Sequence, residues 1–253
     1  MSGAFVSRDT VKRLARDVAS ISKSPLPGIH YAHSETDMLS AYALMIGREN
    51  TPYSGGYYFF KVTYPSDYPN SPPTYKFLTN NGYTRVNPNL YVDGKTCLSV
   101  LNTWHGDQWS GCQTISSTLL SVSGVLNEAP LCNEPGYTDT HPAFWPYFHS
   151  IAFMNYKLGM VDVLRDQHIA KECPSLLAIA KRSFVERFDV SMEELGKARR
   201  SFAEFTGKKE DTVSRIEAGV YRMATTVDYP SLVREMRDLK VEIEAELIAG
   251  KSK

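Results

Sequence analysis

Four prolines within the ten residues 64–73 restrict the possible folds of this chain more than any other feature. A proline lacks the N–H group that a β-ladder needs, so this run predicts a rigid extended loop and cannot lie inside a sheet. Residues 57–64 and 75–78 on either side are rich in aromatic and branched side chains and predict strands. Residues 38–46 predict a further strand, and the glycine-containing connection to residues 57–64 predicts a hairpin. The pattern therefore indicates an antiparallel meander.

Helical patterns flank the predicted sheet on both sides. Val11, Leu14, Val18 and Ile21 recur at helical spacing and predict a first helix over residues 10–22. After the sheet, apolar residues from Ile115 to Leu126 predict a helix that begins near Gln113 or Thr114. An aromatic-rich segment over residues 141–165 predicts a longer one. Helix, meander and helices together predict an α+β fold.

The composition changes after Pro174, which predicts a helical C-terminal extension. Residues 175–188, 191–205 and 209–225 predict helices with weak periodicity. A clear apolar stripe then predicts a last helix, and it consists of Leu232, Met236, Leu239, Ile243 and Leu247. Such a stripe must be buried, and packing on the preceding domain is the favoured interpretation, with selection of a partner protein as a further hypothesis. We therefore predict a core over residues 8–168 and an extension over residues 169–253.

Composition and charge argue against several classes of function. The 28 basic and 28 acidic residues cancel, which argues against a protein that binds nucleic acid over a broad basic face but leaves a local basic patch open. No apolar run approaches the roughly 20 residues that a membrane span needs. The four cysteines lie far apart, which favours free thiols in a reducing compartment, so a cytosolic or nuclear protein is expected. His30 and His33 lack further ligands at metal-binding spacing, and a strand or surface role is favoured for them.

Residues 87–99 combine a tight turn, a carboxamide and a thiol, and they are the strongest indication of chemistry. Cys97 has a thiol that can form a thioester, and Asn89 has an amide N–H that can stabilise the oxyanion formed when a thioester is attacked. Taken singly, Cys97 would be interpreted as a buried core residue and Asn89 as a turn residue that bonds its own backbone.

The order of these features resembles the ubiquitin-conjugating enzyme family. The matching strings are Tyr68-Pro69, Pro72-Pro73, Asn87-Pro88-Asn89, Gly94, Cys97-Leu98 and Trp109-Ser110. Asn89 precedes Cys97 by eight residues, which is the family's spacing. Residues 51–56, 94–99 and 133–137 are most similar to the Z-type branch of the family. The resemblance covers roughly residues 8–168, and the extension matches in length and broad pattern only.

The resemblance implies a ubiquitin-conjugating (UBC-like) fold with an N-terminal helix, a four-stranded antiparallel meander and C-terminal helices. It implies that Cys97 accepts ubiquitin or a ubiquitin-like modifier as a thioester from an activating enzyme. The modifier then passes to a lysine of a protein substrate, usually with a ubiquitin ligase. Asn89 would assist directly or by holding the loop, and Glu134 matches the family's acidic residue after the helix that follows the cysteine. No cofactor, metal, nucleic acid or membrane is implied.

Three positions depart from the family pattern. Asn87 replaces a histidine that is largely structural in the family, as is typical of the Z-type branch. Asn70 and Gly111 replace an apolar residue and a proline, and both departures argue against ordinary docking of ring-type ligases without affecting Cys97. The loop over residues 103–111 is also long, and core packing is the favoured role of its Trp109.

Other classes of protein fit less well. A cysteine protease would need a histidine to activate the thiol, and His141 or His149 could be recruited for that role. Cys97, however, lacks the sequence context of a protease nucleophile and follows a turn instead of opening a helix. Nothing orients His105 or Asp107 toward the thiol. The wide cysteine spacing disfavours a zinc module. The main alternative is a non-catalytic ubiquitin-binding or scaffold protein on the same fold, and a Cys97-dependent activity would distinguish the two.

Overall fold

The computed structural model describes residues 6–251, with only the backbone of Lys251. It begins with helix α1, Arg8–Lys23, which confirms the predicted first helix. Ser7 caps this helix, because its hydroxyl accepts a hydrogen bond from the N–H of Thr10 at 3.0 Å. Leu14 and Ile21 lie on the buried face of the helix.

The sheet is a four-stranded antiparallel meander in the order β1-β2-β3-β4, as predicted. Its strands are Ile29–His33 (β1), Ser40–Ile46 (β2), Tyr57–Thr63 (β3) and Thr74–Phe77 (β4). The registers align Ala43 with Phe60, and Phe60 with Phe77, and the centroids of the Phe60 and Phe77 rings lie 5.3 Å apart. His30 and His33 lie in β1, which confirms the strand role favoured for them.

The proline-rich run forms the predicted connection between β3 and β4. This connection is held to α1 by a buried carboxylate. Asp17 accepts hydrogen bonds from the Tyr68 hydroxyl at 2.8 Å and from the Arg13 guanidinium at 3.0 Å. Because both partners hydrogen-bond the carboxylate, its burial is compensated and the connection is fixed in place.

Two helices follow the segment that contains Cys97. Helix α2, Ile115–Gly124, begins with Thr114 as its N-cap, and Thr114 and Ser117 form a reciprocal capping box. A short 3₁₀ turn, Pro130–Asn133, leads away from its end. Helix α3, Phe144–Tyr156, continues through a π-helical turn, Lys157–Asp162, into α4, Val163–Arg165. The long helical segment predicted over residues 141–165 is confirmed, with its start at Phe144.

Up to residue 251, the extension consists of helices and one hairpin. Its helices are Gln167–Glu172 (α5), Pro174–Glu186 (α6), Phe188–Thr206 (α7) and Tyr229–Lys251 (α8). Helix α6 lies against β1 and β2, and α8 lies against α6, α7 and the π-helical turn. Leu232, Met236, Leu239 and Ile243 are buried and Leu247 is partly buried, so the apolar stripe packs on the rest of the chain as favoured.

The helix predicted over residues 209–225 is wrong. Ser214–Glu217 (β5) and Ala224–Val227 (β6) pair there as an antiparallel hairpin. Burial alternates along both strands, with Ser214 and Ile216 buried and Arg215 and Glu217 exposed. This period of two is the strand pattern, and it outweighed the helix-forming side chains of the segment.

Buried apolar side chains from the first 168 residues and from the extension form one contiguous core. The division at residue 168 therefore stays a prediction. Over residues 6–251, no helix has the length and apolar content to cross a membrane.

Candidate active site

The turn before Cys97 folds back on itself and brings Cys97 beside Asn89. Tyr91 N–H donates to the Lys95 carbonyl at 2.9 Å, and Cys97 N–H donates to the Asn89 carbonyl at 2.9 Å. Gly94 has a φ of +90°, and a Cβ there would lie 2.9 Å from the Phe77 carbonyl oxygen. Only glycine fits this reversal against β4 without strain. The segment from Asn89 to Cys97, which lie eight positions apart, thus forms a closed loop.

The side chain of Asn89 closes the same loop from the other direction. Its Nδ2 donates to the backbone carbonyl of Cys97 at 2.8 Å. Asn89 is 7% exposed and Cys97 is 2% exposed, so this bond lies almost out of reach of water. Of the two roles expected for Asn89, the geometry supports the one that holds the loop. The nitrogen carries a second N–H that is in no hydrogen bond with the described residues.

Asn87 is the centre of a buried hydrogen-bond network. Its Nδ2 donates to the Tyr53 hydroxyl at 2.8 Å and to the Val125 carbonyl at 2.7 Å. Its Oδ1 accepts from Asn89 N–H at 2.9 Å and from Asn133 Nδ2 at 3.5 Å. A single carboxamide therefore fixes the turn to the end of α2 and to the segment that carries Glu134. Asn87 thus has a structural role.

Glu134 directly follows the 3₁₀ turn after α2, in the loop where the family resemblance places an acidic residue. It is partly exposed, and its Oε2 accepts a hydrogen bond from the Tyr221 hydroxyl at 2.6 Å. The network through Asn133 joins this loop to the Cys97 turn. Tyr221 was not found from the sequence, because it lies in the segment predicted as a helix.

The loop over residues 103–111 supports the other side of Cys97. The Thr103 hydroxyl accepts from Leu98 N–H at 2.9 Å and contacts the Thr96 carbonyl at 3.2 Å, so it holds the backbone on both sides of Cys97. Trp109 Nε1 donates to the Pro69 carbonyl at 2.8 Å, and its ring packs on Tyr68, which confirms its packing role. The sequence indicated no role for Thr103.

His105 and Asp107 of the same loop are exposed. Neither forms a hydrogen bond with Cys97 among the described residues. The geometry therefore gives no acid–base partner for the thiol in this loop.

The remaining cysteines have different surroundings. Cys112 and Cys132 are exposed, whereas Cys173 is buried and its thiol faces the Ile169 carbonyl. Burial raises the pKa of Cys173 to about 12, so its thiol stays protonated and weakly nucleophilic. Within residues 6–251 there is no group of three or more His, Cys, Asp or Glu side chains that could hold a metal ion.

The chain is similar to known ubiquitin-conjugating enzymes. The family model described as "Ubiquitin-conjugating enzyme" matches residues 13–141. The chain is 38% identical to "Ubiquitin-conjugating enzyme E2 Z" of Danio rerio, over 72% of this chain and 56% of that protein. It is also 38% identical to the Homo sapiens protein of the same name, over 70% and 50%. The chain thus spans about half the length of the curated relatives it matches. The solved structure of human ubiquitin-conjugating enzyme E2 G1 is 30% identical, with a TM-score of 0.42 over 49% of this chain and 98% of that one.

Proposed function

The chain belongs to the ubiquitin-conjugating enzyme family, and on that premise we propose that it carries ubiquitin or a ubiquitin-like modifier as a thioester on Cys97. It receives the modifier from an activating enzyme and passes it to a lysine of a protein substrate, usually with a ubiquitin ligase. The observation that supports the proposal is a pair of hydrogen bonds between Cys97 and Asn89. Cys97 N–H donates to the Asn89 carbonyl, and Asn89 Nδ2 donates to the Cys97 carbonyl.

The first step exchanges one thioester for another. The Cys97 thiolate attacks the carbonyl carbon of the modifier's C-terminal thioester, a new C–S bond forms, and the thiolate of the activating enzyme leaves. Cys97 is 2% exposed. The incoming thioester must therefore reach a residue that exposes little surface to solvent.

The second step forms an amide. The neutral amine of a substrate lysine attacks the thioester carbonyl, a C–N bond forms, and the Cys97 thiolate leaves. The carbonyl oxygen carries negative charge in between, and the free N–H of Asn89 is a candidate donor to it. Holding the loop and stabilising the oxyanion are compatible roles, since the amide nitrogen has two hydrogens.

Glu134 is the acidic residue available to the incoming lysine. It is partly exposed, and its Oε1 is in no hydrogen bond with the described residues, so it can accept one from an approaching amine. A carboxylate at that place aligns the amine and accepts its proton as the bond forms. Its loop is tied to the Cys97 turn through Asn133 and Asn87, which supports a shared site.

A charging assay tests the proposal. The protein is incubated with activating enzyme, ATP and ubiquitin, and its intact mass is measured with and without reductant. A modifier-sized adduct that reductant removes is expected. It should be absent in Cys97→Ala and resistant to reductant in Cys97→Ser, which forms an ester. A folded protein that several activating enzymes fail to charge would instead indicate a non-catalytic scaffold on the same fold.

A further inference from the structure

The hairpin of the extension ends in a turn with an unusual backbone. Tyr221 and Arg222 occupy its two central positions with φ of 55° and 52°, and Met223 N–H closes it on the Val220 carbonyl at 3.0 Å. Turns of this kind normally carry glycine or asparagine, because a left-handed backbone is unfavourable for larger residues. Arg222 is exposed, whereas Tyr221 is partly buried against the rest of the chain. The strained turn therefore presents Tyr221 inward.

The hydroxyl of Tyr221 fixes one oxygen of Glu134 and leaves the other free. It donates to Oε2 at 2.6 Å, and Oε1 has no hydrogen-bond partner among the described residues. Burial and this bond to the carboxylate raise the pKa of Tyr221, so the hydroxyl keeps its proton and remains a donor. A carboxylate held through one oxygen has a defined direction for the second.

The ring of Tyr221 contacts the turn that leads to Asn89. It lies over the Arg85 guanidinium, 4.7 Å from its carbon, and the Tyr91 ring lies 3.4 Å from the same carbon. Arg85 donates to the Pro88 carbonyl at 2.6 Å, one residue before Asn89. Tyr221 therefore contacts both the acidic loop and, through Arg85, the turn that holds Cys97.

We propose that Tyr221 is a positioning residue for modifier transfer, which orients the Glu134 carboxylate toward the incoming lysine. This inference rests on the proposed function and extends it. The extension would then supply part of the active site, in addition to packing on the core.

Tyr221→Phe tests the inference, because it removes the hydroxyl and keeps the ring on Arg85. Charged protein is separated from the activating enzyme and its discharge is followed with free lysine and, in parallel, with hydroxylamine. Hydroxylamine is a small neutral nucleophile that does not need alignment by a carboxylate. We expect discharge to lysine to slow about three- to tenfold, the effect of one lost hydrogen bond. Charging and discharge to hydroxylamine should stay within about twofold of the unmodified protein.

Two further variants separate positioning from general structure. Tyr221→Phe combined with Glu134→Ala should be no slower with lysine than Glu134→Ala alone, since the hydroxyl acts through the carboxylate. Tyr229→Phe is the matched control, because this buried tyrosine of the extension has a hydroxyl without a partner among the described residues. Discharge to lysine should not change in this control.

The outcomes distinguish the two proposals. Normal charging with equal lysine discharge in the unmodified and Tyr221→Phe proteins would overturn the inference alone. An equal slowing with lysine and hydroxylamine would also overturn it, since that result indicates general damage to the site. Failure of the unmodified protein to charge would overturn the proposed function together with the inference.

Discussion

The bond from Asn89 Nδ2 to the Cys97 carbonyl leads to a quantitative prediction. Asn89→Ala removes the donor and leaves a carbonyl oxygen in a position that is 2% exposed. An unsatisfied buried acceptor costs about 1–3 kcal/mol, so the free energy of unfolding should fall by about that amount. Charging should slow as well, because the same loop presents Cys97.

Urea unfolding, the rate of charging and single-turnover discharge of charged protein give the measurements. Asn80→Ala is the matched control, since Asn80 Nδ2 also donates to a backbone carbonyl, that of Phe77 at 2.9 Å, outside the Cys97 loop. The control should lose some stability and keep its rate of transfer per folded molecule.

One result would refute the reasoning about Asn89. If Asn89→Ala unfolded with the free energy of the unmodified protein while discharge fell about a hundredfold, the amide would act on the oxyanion and not on the loop. A hundredfold loss corresponds to about 2.7 kcal/mol, the lower end of the range for a single oxyanion donor.

Three further predictions follow from buried positions. Gly56→Ala should destabilise the protein by about 1–3 kcal/mol, because a Cβ would lie 2.0 Å from Asn155 Oδ1. The control Gly124→Ala, in open space on α2, should be neutral or stabilising. Equal melting temperatures of Gly56→Ala and the unmodified protein would contradict the close contact. Burial lowers the pKa of His149 from 6.5 to about 4. As pH falls between these values, the unfolded chain binds a proton at His149 and the folded chain does not. Urea unfolding should therefore show that the free energy of unfolding falls by up to about 1.4 kcal/mol per pH unit. His149→Phe should remove this contribution to the pH dependence, and an unchanged pH dependence in the variant would argue against the pKa shift. Cys173, buried and with its pKa raised to about 12, should react with iodoacetamide far more slowly than the exposed cysteines, and mass mapping that finds equal labelling would count against its burial.

Features with a local signal could be predicted from the sequence. Strands β2, β3 and β4 follow from runs of aromatic and branched residues, whereas β1 was implied only by the family resemblance. The sequence places the start of α2 near Gln113 or Thr114, and Thr114 is the N-cap. The closed loop around Cys97 also leaves a local trace, because the sharp reversal requires Gly94.

Contacts between distant segments could not be predicted in the same way. Asn133 and Asn87 are 46 residues apart, and Tyr221 and Glu134 are 87 residues apart. The hairpin was missed because Tyr221 and Arg222 take a left-handed backbone that their side chains do not indicate. The network that joins the Glu134 loop to the Cys97 turn therefore required the structure.

The most direct test of the account asks which thiol carries the modifier. In one protein Cys112, Cys132 and Cys173 are replaced and only Cys97 remains; in the other only Cys97 is replaced, by alanine. We expect activating enzyme, ATP and ubiquitin to give a reductant-labile adduct in the first protein and none in the second. An adduct that persists without Cys97, or that is lost from a folded protein in which Cys97 is the only cysteine, would contradict the account.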